Sequence, residues 1–255
     1  MNRFFQFWRD ESAQMWEPAL PDGVRVYAVG DVHGHDALLA DLLAQIEADR
    51  RQSSATRTVL VFLGDLIDRG PGSAAVLTRL RTLDLPGVST VFLMGNHEEV
   101  LLRILDGDDT VVFDWLRFGG DKCMESYGVP ADKLLRLPVG EAGRLIRRAI
   151  PAEDAAFIAG FSDTFRVGDF LFVHAGIRPG VPIAEQSASD LRWIRSPFLE
   201  WRDRHECCVV HGHTISPEVE QSPARIGIDT GAYCFGVLTA VGLEGTARWF
   251  IQAKA

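Results

Sequence analysis

Apolar and polar residues are arranged along the first hundred positions in a way that predicts strands and helices in turn. The apolar runs Val24–Val29, Thr58–Leu63 and Val88–Met94 are typical of buried strands. Leucines and one isoleucine recur at helical spacing over 38–46, and a second helix is predicted over Ser73–Leu83. The resulting β-α-β-α-β order is typical of a parallel sheet.

The segment from Glu99 to Phe161 differs, because glycines and prolines interrupt its apolar residues at short intervals. We interpret it as a helical insert over about 99–161. Residues 1–23 are interpreted as an N-terminal arm and linker, and 24–255 as a single domain. A loop is predicted around Leu191–Arg195. The later predicted strands are Thr164–Val167, Phe170–Val173, Cys207–Val210, Arg225–Ile228, Cys234–Val241 and Thr246–Ile251.

Charge and composition narrow the classes of partner. The chain has 255 residues and a net charge of −9, which argues against a nucleic-acid surface because that would need a basic stripe. Its apolar runs are shorter than a membrane span, and Met1–Arg9 is aromatic without the layout of a signal peptide. The four cysteines form no Cys-x-x-Cys pair, which is typical of reduced core thiols. We therefore expect a cytoplasmic protein with no nucleic-acid or membrane partner.

Short polar motifs stand where predicted strands end. Gly30–Gly34, Gly64–Pro71 and Gly95–Glu98 follow the first three strands, and His174–Gly176 and His211–Thr214 follow two later ones. Parallel sheets gather ligands at the carboxyl ends of their strands. We therefore expect these motifs to meet in space although they are far apart in the sequence.

The side chains in these motifs predict a metal centre. A carboxylate can bridge two divalent cations, and Asp65 is suited to this because it follows the middle strand of the β-α-β-α-β unit. Asp31 and His33 would complete one site, and the remaining three candidates would complete the other. Histidine, amide and carboxylate ligands favour Mn²⁺, with Fe or Zn as alternatives, over Mg or Ca. The six candidate ligands are Asp31, His33, Asp65, Asn96, His174 and His213.

These motifs carry a resemblance to a known family. Gly-Asp-x-His-Gly at 30–34, Gly-Asp-x-x-Asp-Arg-Gly at 64–70 and Gly-Asn-His-Glu at 95–98 resemble the phosphoprotein phosphatase branch of the calcineurin-like metallophosphoesterases. His-Ala-Gly at 174–176 and Gly-His-Thr at 212–214 are similar to the last two metal-ligand motifs of that family. The resemblance implies an α/β fold, a four-layer αββα sandwich of two mixed sheets with helices outside.

The resemblance also implies a mechanism. A water between two cations loses its proton near neutral pH, and the resulting hydroxide would attack phosphorus in line without a phosphoenzyme. Arg69 and Asn96 would bind the substrate phosphate. Arg195 would join them, because the spacing of Leu-x-Trp-Ile-Arg resembles bacterial and phage phosphatases. His97 would protonate the leaving group as general acid, and Asp68 would orient its imidazole.

Several functions share this chemistry. The leading hypothesis is a phosphomonoesterase acting on phosphorylated proteins or peptides at serine, threonine or tyrosine, with the oligomeric state left open. The alternative is a symmetric dinucleoside tetraphosphate hydrolase, a branch in which the family resemblance implies an apolar residue where this chain has Asp68. An inactive phosphoprotein-binding scaffold is a third possibility, and a nuclease or cyclic-nucleotide phosphodiesterase is disfavoured. Trp115, Phe118 and Tyr127 are predicted to lie in the core of the insert rather than to stack on bases.

Overall fold

The computed structural model describes residues 16–255, so the aromatic segment Met1–Arg9 lies outside the described residues. The strands of this part are β1 (Val24–Val29), β2 (Arg57–Phe62), β3 (Val88–Phe92), β4 (Thr164–Val167), β5 (Phe170–Val173), β6 (Cys208–His211), β7 (Glu220–Gln221), β8 (Arg225–Gly227), β9 (Val237–Glu244) and β10 (Ala247–Lys254). Its α-helices are α1 (Asp36–Arg50), α2 (Ser73–Arg81), α3 (Asn96–Leu105), α4 (Val112–Trp115), α5 (Asp121–Ser126), α6 (Ala131–Leu135), α7 (Val139–Ala149), α8 (Ala152–Ala159), α9 (Ala188–Trp193) and α10 (Ala232–Phe235).

The first sheet has the strand order β10-β9-β1-β2-β3. Strands β1, β2 and β3 run parallel, and β9 and β10 are antiparallel to their neighbours. Side chains alternate across β1, so that Val26 and Ala28 face the second sheet whereas Tyr27 and Val29 face the helices. The predicted β-α-β-α-β unit is therefore confirmed, and its three strands end at one edge.

The second sheet has the order β4-β5-β6-β8-β7, with β5, β6 and β8 parallel. It packs face to face on the first sheet, since Val59 and Val61 of β2 share a buried cluster with Phe172 and Val210. Helices α1, α2 and α3 cover the outer face of the first sheet. Helix α9 and Phe198 cover the outer face of the second. The predicted α/β arrangement of two mixed sheets with helices outside is confirmed.

The segment between β3 and β4 consists of helices α3 to α8, as its broken apolar pattern predicted. A π-helical turn over Leu116–Gly120 contains Gly119 at φ +116°, which bends the chain sharply after α4. The linker before β1 is packed rather than loose, because Leu20 is buried and its amide donates to Gly245 O. Among residues 16–255, no helix is both long enough and apolar enough to cross a membrane.

Two predicted elements differ in the structure. The predicted loop around Leu191–Arg195 begins as helix α9, whose first turn is capped by the Ser187 hydroxyl accepting from the Asp190 amide. The predicted strand Cys234–Val241 begins only at Val237. Gly231 and Gly236 both adopt left-handed φ values and enclose the single turn of α10, which delays the strand. Cys234 is exposed on this turn, whereas the other three cysteines are buried.

Candidate metal centre and substrate cleft

The turn that carries Asp65 is held by a buried carboxylate, Glu98. Its Oε2 accepts from the amide of Asp65 at 2.8 Å, and its Oε1 accepts from the amides of Leu66 at 2.8 Å and Ile67 at 3.3 Å. Glu98 is in the first turn of α3, so this helix and the end of β2 are locked together. The Asp65 carboxylate is thereby fixed at the edge of the first sheet, and its Oδ1 accepts from the His97 amide.

Two imidazoles turn their Nε2 atoms toward Asp65. The Nδ1 of His33 donates to Ile67 O and that of His174 donates to Leu63 O, both at 2.8 Å. Their Nε2 atoms lie 3.6 and 3.4 Å from Asp65 oxygens. Burial lowers the pKa of both rings, so each is neutral with an Nε2 lone pair facing the carboxylate. A backbone carbonyl that fixes the second nitrogen is the usual support of a metal-ligating histidine.

The polar atoms around His174 and His213 are not fully paired in hydrogen bonds, and a cation would satisfy them. The Nε2 of His174 has no proton to give, yet Asn96 Oδ1 lies 3.0 Å away, so two acceptors face each other. The Nε2 of His213 is buried without a hydrogen-bond partner, and burial lowers the pKa of this ring to about 3. Acceptors gathered without donors fit a metal ion.

The potential ligand atoms form two overlapping groups. Those of His33, Asp65 and His97 lie within 4.8 Å of one another, and so do those of Asp65, His174 and His213. Asp65 belongs to both groups, as expected of a bridging ligand. Asp31 is outside these two groups but adjoins the second, because both of its oxygens accept from the His213 amide at 3.1 Å. The structure thus brings all six predicted ligands to one edge, and their chemistry fits two divalent cations.

His97 and Asp68 form the pair that the sequence predicted. The Nδ1 of His97 lies 2.6 Å from Asp68 Oδ2, which also accepts from the indole nitrogen of Trp115 at 2.8 Å. The opposite nitrogen of His97 faces the cleft, 3.8 Å from Asp65. Burial opposes a charge on this ring, but Asp65 and Asp68 outweigh burial and raise the pKa of His97 to about 9. The imidazole is therefore protonated at neutral pH when no cation neutralises Asp65.

This raised pKa makes the stability of the metal-free protein depend on pH. A histidine with a pKa of about 6.5 unfolded and about 9 folded stabilises the fold fully below pH 6.5, and this contribution is lost as the pH rises through 9. We expect the free energy of unfolding, measured by urea titration in EDTA, to fall between pH 7 and 9.5. The fall should be smaller in Asp68→Asn, and an equal fall in both proteins would contradict the pairing.

The two predicted phosphate-binding arginines line one cleft of about 670 Å³ beside these groups. Nη2 of Arg69 lies 3.2 Å from His97 Nε2, so two donors face each other when that imidazole is protonated, as they would around a bound anion. The Arg69 guanidinium stacks on the ring of Tyr233 at 4.4 Å from the centroid. Arg195 follows α9 and is exposed. Neither arginine forms an ion pair among the described residues, so both remain available to an anion.

Backbone strain is concentrated at this site. Within the described chain, the non-glycine residues with left-handed φ values are His33, Asp65, Asp68, Arg69 and His213. Such conformations cost about 1–3 kcal/mol each and persist where the surrounding structure imposes them. Their confinement to the candidate site supports a functional arrangement of these turns.

Gly119 offers a test of how Arg69 is placed. The Arg69 amide donates to Gly119 O at 3.0 Å, and a Cβ on Gly119 would lie 2.6 Å from the backbone nitrogen of Arg69. We expect Gly119→Ala to displace Arg69 and to raise the KM for phosphate substrates about 10-fold or more. Gly107→Ala is the matched control, because Gly107 has a similar φ of +103° with nothing near its Cβ. Equal kinetics in the two variants would contradict this role of Gly119.

One predicted core residue is on the surface. Phe118 is 66% exposed and lines the cleft, whereas Trp115 is buried and Tyr127 half-buried. The prediction that Phe118 belongs to the core of the insert is wrong, because the π-helical turn at Gly119 directs it outward. Trp193 also lines the cleft and is 40% exposed, with its indole nitrogen donating to Glu99 Oε2 at 3.0 Å.

Known proteins resemble this chain in sequence. The family model described as calcineurin-like phosphoesterase matches residues 24–236. A symmetrical bis(5'-nucleosyl)-tetraphosphatase from Janthinobacterium sp. (strain Marseille) is 29% identical, over 89% of this chain and 95% of the relative. Serine/threonine-protein phosphatase 1 from Salmonella typhimurium is 36% identical over a shorter segment, 38% of this chain and 39% of the relative.

The fold has counterparts among solved structures. One, provisionally named a diadenosine tetraphosphatase, superposes with a TM-score of 0.63 at 21% sequence identity. The match covers 93% of this chain and 99% of that one. At this identity the likeness concerns the fold alone.

Proposed function

The chain belongs to the calcineurin-like phosphoesterases and is a metal-dependent phosphoester hydrolase, and we propose that its substrates are symmetric dinucleoside tetraphosphates. The observation that carries this proposal is the cleft beside the candidate metal centre. It is large, at about 670 Å³, and combines two arginines with exposed aromatic rings. The near-full-length similarity to a symmetrical tetraphosphatase supports the same substrate class. Symmetric dinucleoside tetraphosphates are therefore better supported as substrates than the phosphorylated proteins and peptides that the sequence favoured.

The walls of the cleft suit both parts of such a substrate. Arg69 and Arg195 offer guanidinium groups to a polyphosphate chain. Phe118 and Trp193 come from separate segments and leave ring surface exposed, on which nucleobases can stack. The hydrogen bond from Trp193 to Glu99 holds that indole in place, so less entropy is lost on binding.

The chemistry would be divided between cations and side chains. Two divalent cations, preferably Mn²⁺, would be held by Asp31, His33, Asp65, Asn96, His174 and His213, and when bound they would supply a water of lowered pKa and neutralise phosphoryl charge. Arg69 and Arg195 would orient the phosphoryl group, with Asn96 beside them. His97 would deliver its Nε2 proton to the departing oxygen, and Asp68 with Trp115 would hold the ring in position. None of the side chains needs to form a bond to phosphorus.

A specific observation favours a second candidate, a phosphomonoesterase acting on phosphorylated proteins or peptides. The Asp68–His97 pair, 2.6 Å apart, would act as a general acid, which the alkoxide leaving group of a phosphoserine needs more than the nucleoside diphosphate released from a tetraphosphate. The partial similarity to a serine/threonine phosphatase agrees with it. The two candidates share the centre and differ in what occupies the cleft.

A direct comparison of substrates tests the proposal. Diadenosine tetraphosphate, a phosphoserine peptide and p-nitrophenyl phosphate would be supplied at equal concentration with Mn²⁺, and the products separated by chromatography. We expect the tetraphosphate to have the highest kcat/KM and to yield ADP alone. A preference for the peptide would favour the second candidate, and ATP plus AMP as products would contradict symmetric cleavage.

A variant in the cleft wall distinguishes stacking from general activity. Stacking of a base on an aromatic ring is worth about 1–3 kcal/mol, so Phe118→Ala should raise the KM for diadenosine tetraphosphate about 10-fold. The kinetics with p-nitrophenyl phosphate should not change. Leu135→Ala is the control, because Leu135 is also exposed and apolar but does not line the cleft. Unchanged tetraphosphate kinetics in Phe118→Ala would argue against base stacking there.

A further inference from the structure

An acidic residue outside the predicted ligand set, Asp229, lies beside Asp31. The end of β1 touches the end of β8 so closely that a Cβ on Gly30 would be 2.5 Å from Ile228 O. Asp31 and Asp229 each follow this contact by one residue, and their carboxyl groups lie within hydrogen-bonding reach of each other where the two sheets meet. The site edge therefore includes β8 as well as the strands whose motifs were predicted.

The hydrogen bonds of Asp229 leave one oxygen unused. Its Oδ1 accepts from the Gly231 amide at 3.1 Å, whereas its Oδ2 is buried with no partner. The residue is only 3% exposed. The Asp31 carboxyl group lies within hydrogen-bonding reach of Asp229, but it brings a second acceptor rather than a donor when both acids are ionised. A buried carboxylate oxygen without a donor is costly, so this position calls for a positive group.

The positive charge that the protein supplies here comes from Arg69, which acts on Asp31 and Asp229 without pairing with either, and from the histidines around Asp65. Asp31, Asp65 and Asp229 are all buried at this edge, and among residues 16–255 none of them forms an ion pair with a lysine or arginine. The ion-pair contacts of Asp65 are with histidines alone. Three carboxylates would offset most of the charge of two divalent cations and leave one positive charge for an anionic substrate.

We infer that Asp229 is a further acidic residue of the metal centre, placed beside Asp31 to attract the cation that Asp31 would help to hold. This inference rests on the metal centre proposed above and adds a seventh residue to it. The charge and the free Oδ2 of Asp229 act on one cation site. Replacing Asp229 should therefore lower the metal affinity of that site and leave the affinity of the other unchanged.

The test is calorimetric titration of the metal-free protein with Mn²⁺ alone. Asp229→Asn keeps an oxygen for the Gly231 amide and removes the charge. We expect wild type to bind two equivalents, and Asp229→Asn to bind one of them about 10–100-fold more weakly, with the other unchanged. The Mn²⁺-induced rise in Tm should be smaller by a corresponding amount. Asp154→Asn is the matched control, because Asp154 is equally buried but bonds Arg81 and Tyr127 away from the cleft.

The outcomes separate this inference from its premise. If Asp229→Asn bound both Mn²⁺ equivalents like wild type, and only its metal-free Tm fell, Asp229 would merely support the Gly231 turn and the inference would be overturned. If wild type itself bound no Mn²⁺, the proposed metal centre would fail, and this inference with it. Weakening of both equivalents to the same degree in Asp154→Asn would also overturn it, by showing a general effect of a lost buried charge.

Discussion

Asp65→Asn is expected to abolish turnover and Mn²⁺ binding at both sites. Asp65 belongs to both groups of ligand atoms, so each cation would lose a charged ligand. Loss of a partner that only supports a ligand costs about 10–100-fold in metal affinity or activity. We therefore expect kcat/KM to fall by at least about 1,000-fold. The measurements are steady-state kinetics and the Mn²⁺ content after gel filtration.

The asparagine substitution isolates the charge of Asp65 from its backbone. Asp65 adopts φ +49°, a conformation that asparagine tolerates nearly as well as aspartate. The turn should therefore survive, because Glu98 still accepts the amides that hold it. A variant that kept two bound Mn²⁺ ions would show that Asp65 is not the shared ligand.

His97→Ala is expected to lower kcat by about 10²–10⁴-fold while both Mn²⁺ equivalents remain bound. The loss should grow with the pKa of the leaving group, and so be larger for alkyl phosphates than for p-nitrophenyl phosphate. For diadenosine tetraphosphate the fall in kcat should lie at the lower bound of this range, because a departing nucleoside diphosphate needs little protonation. His205→Ala is the control, since His205 packs on Phe198 away from the cleft.

This variant also tests the division between ligand and acid. His97 Nε2 lies close enough to His33 and Asp65 to join a ligand group. Its Nδ1, however, is paired with the Asp68 carboxylate rather than with a backbone carbonyl, which suits proton transfer. Loss of one Mn²⁺ equivalent in His97→Ala would reassign the residue as a ligand.

Much of the site could be predicted from where strands end. Parallel strands present their carboxyl ends at a common edge, which predicts that Asp31, Asp65 and His174 meet. The two sheets bring Asp65 and His174 into one ligand group, and Asp31 adjoins that group through the His213 amide. The roles of these residues as metal ligands stay predictions until the metal bound by the protein is measured. The sequence therefore predicted correctly that these side chains converge at one edge of the sheets.

Other features depend on contacts that no local pattern shows. The bond from Trp115 to Asp68 joins residues 47 positions apart, and periodicity indicated only that Trp115 is apolar and buried. Phe118 fits a helical core pattern, yet the turn at Gly119 exposes it. Asp229 follows a predicted strand like the motif residues do. This position could have marked Asp229 as a candidate site residue from the sequence alone. The pairing of Asp229 with Asp31, however, depends on how the two sheets stack.

The most direct test of the central claim is a crystal structure of the protein with Mn²⁺, with the ions located by anomalous scattering. We expect two anomalous peaks that both contact Asp65, one beside His33 and the other between His174 and His213. A single peak in this pocket, or peaks that do not contact Asp65, would contradict a two-metal centre assembled from these strand ends.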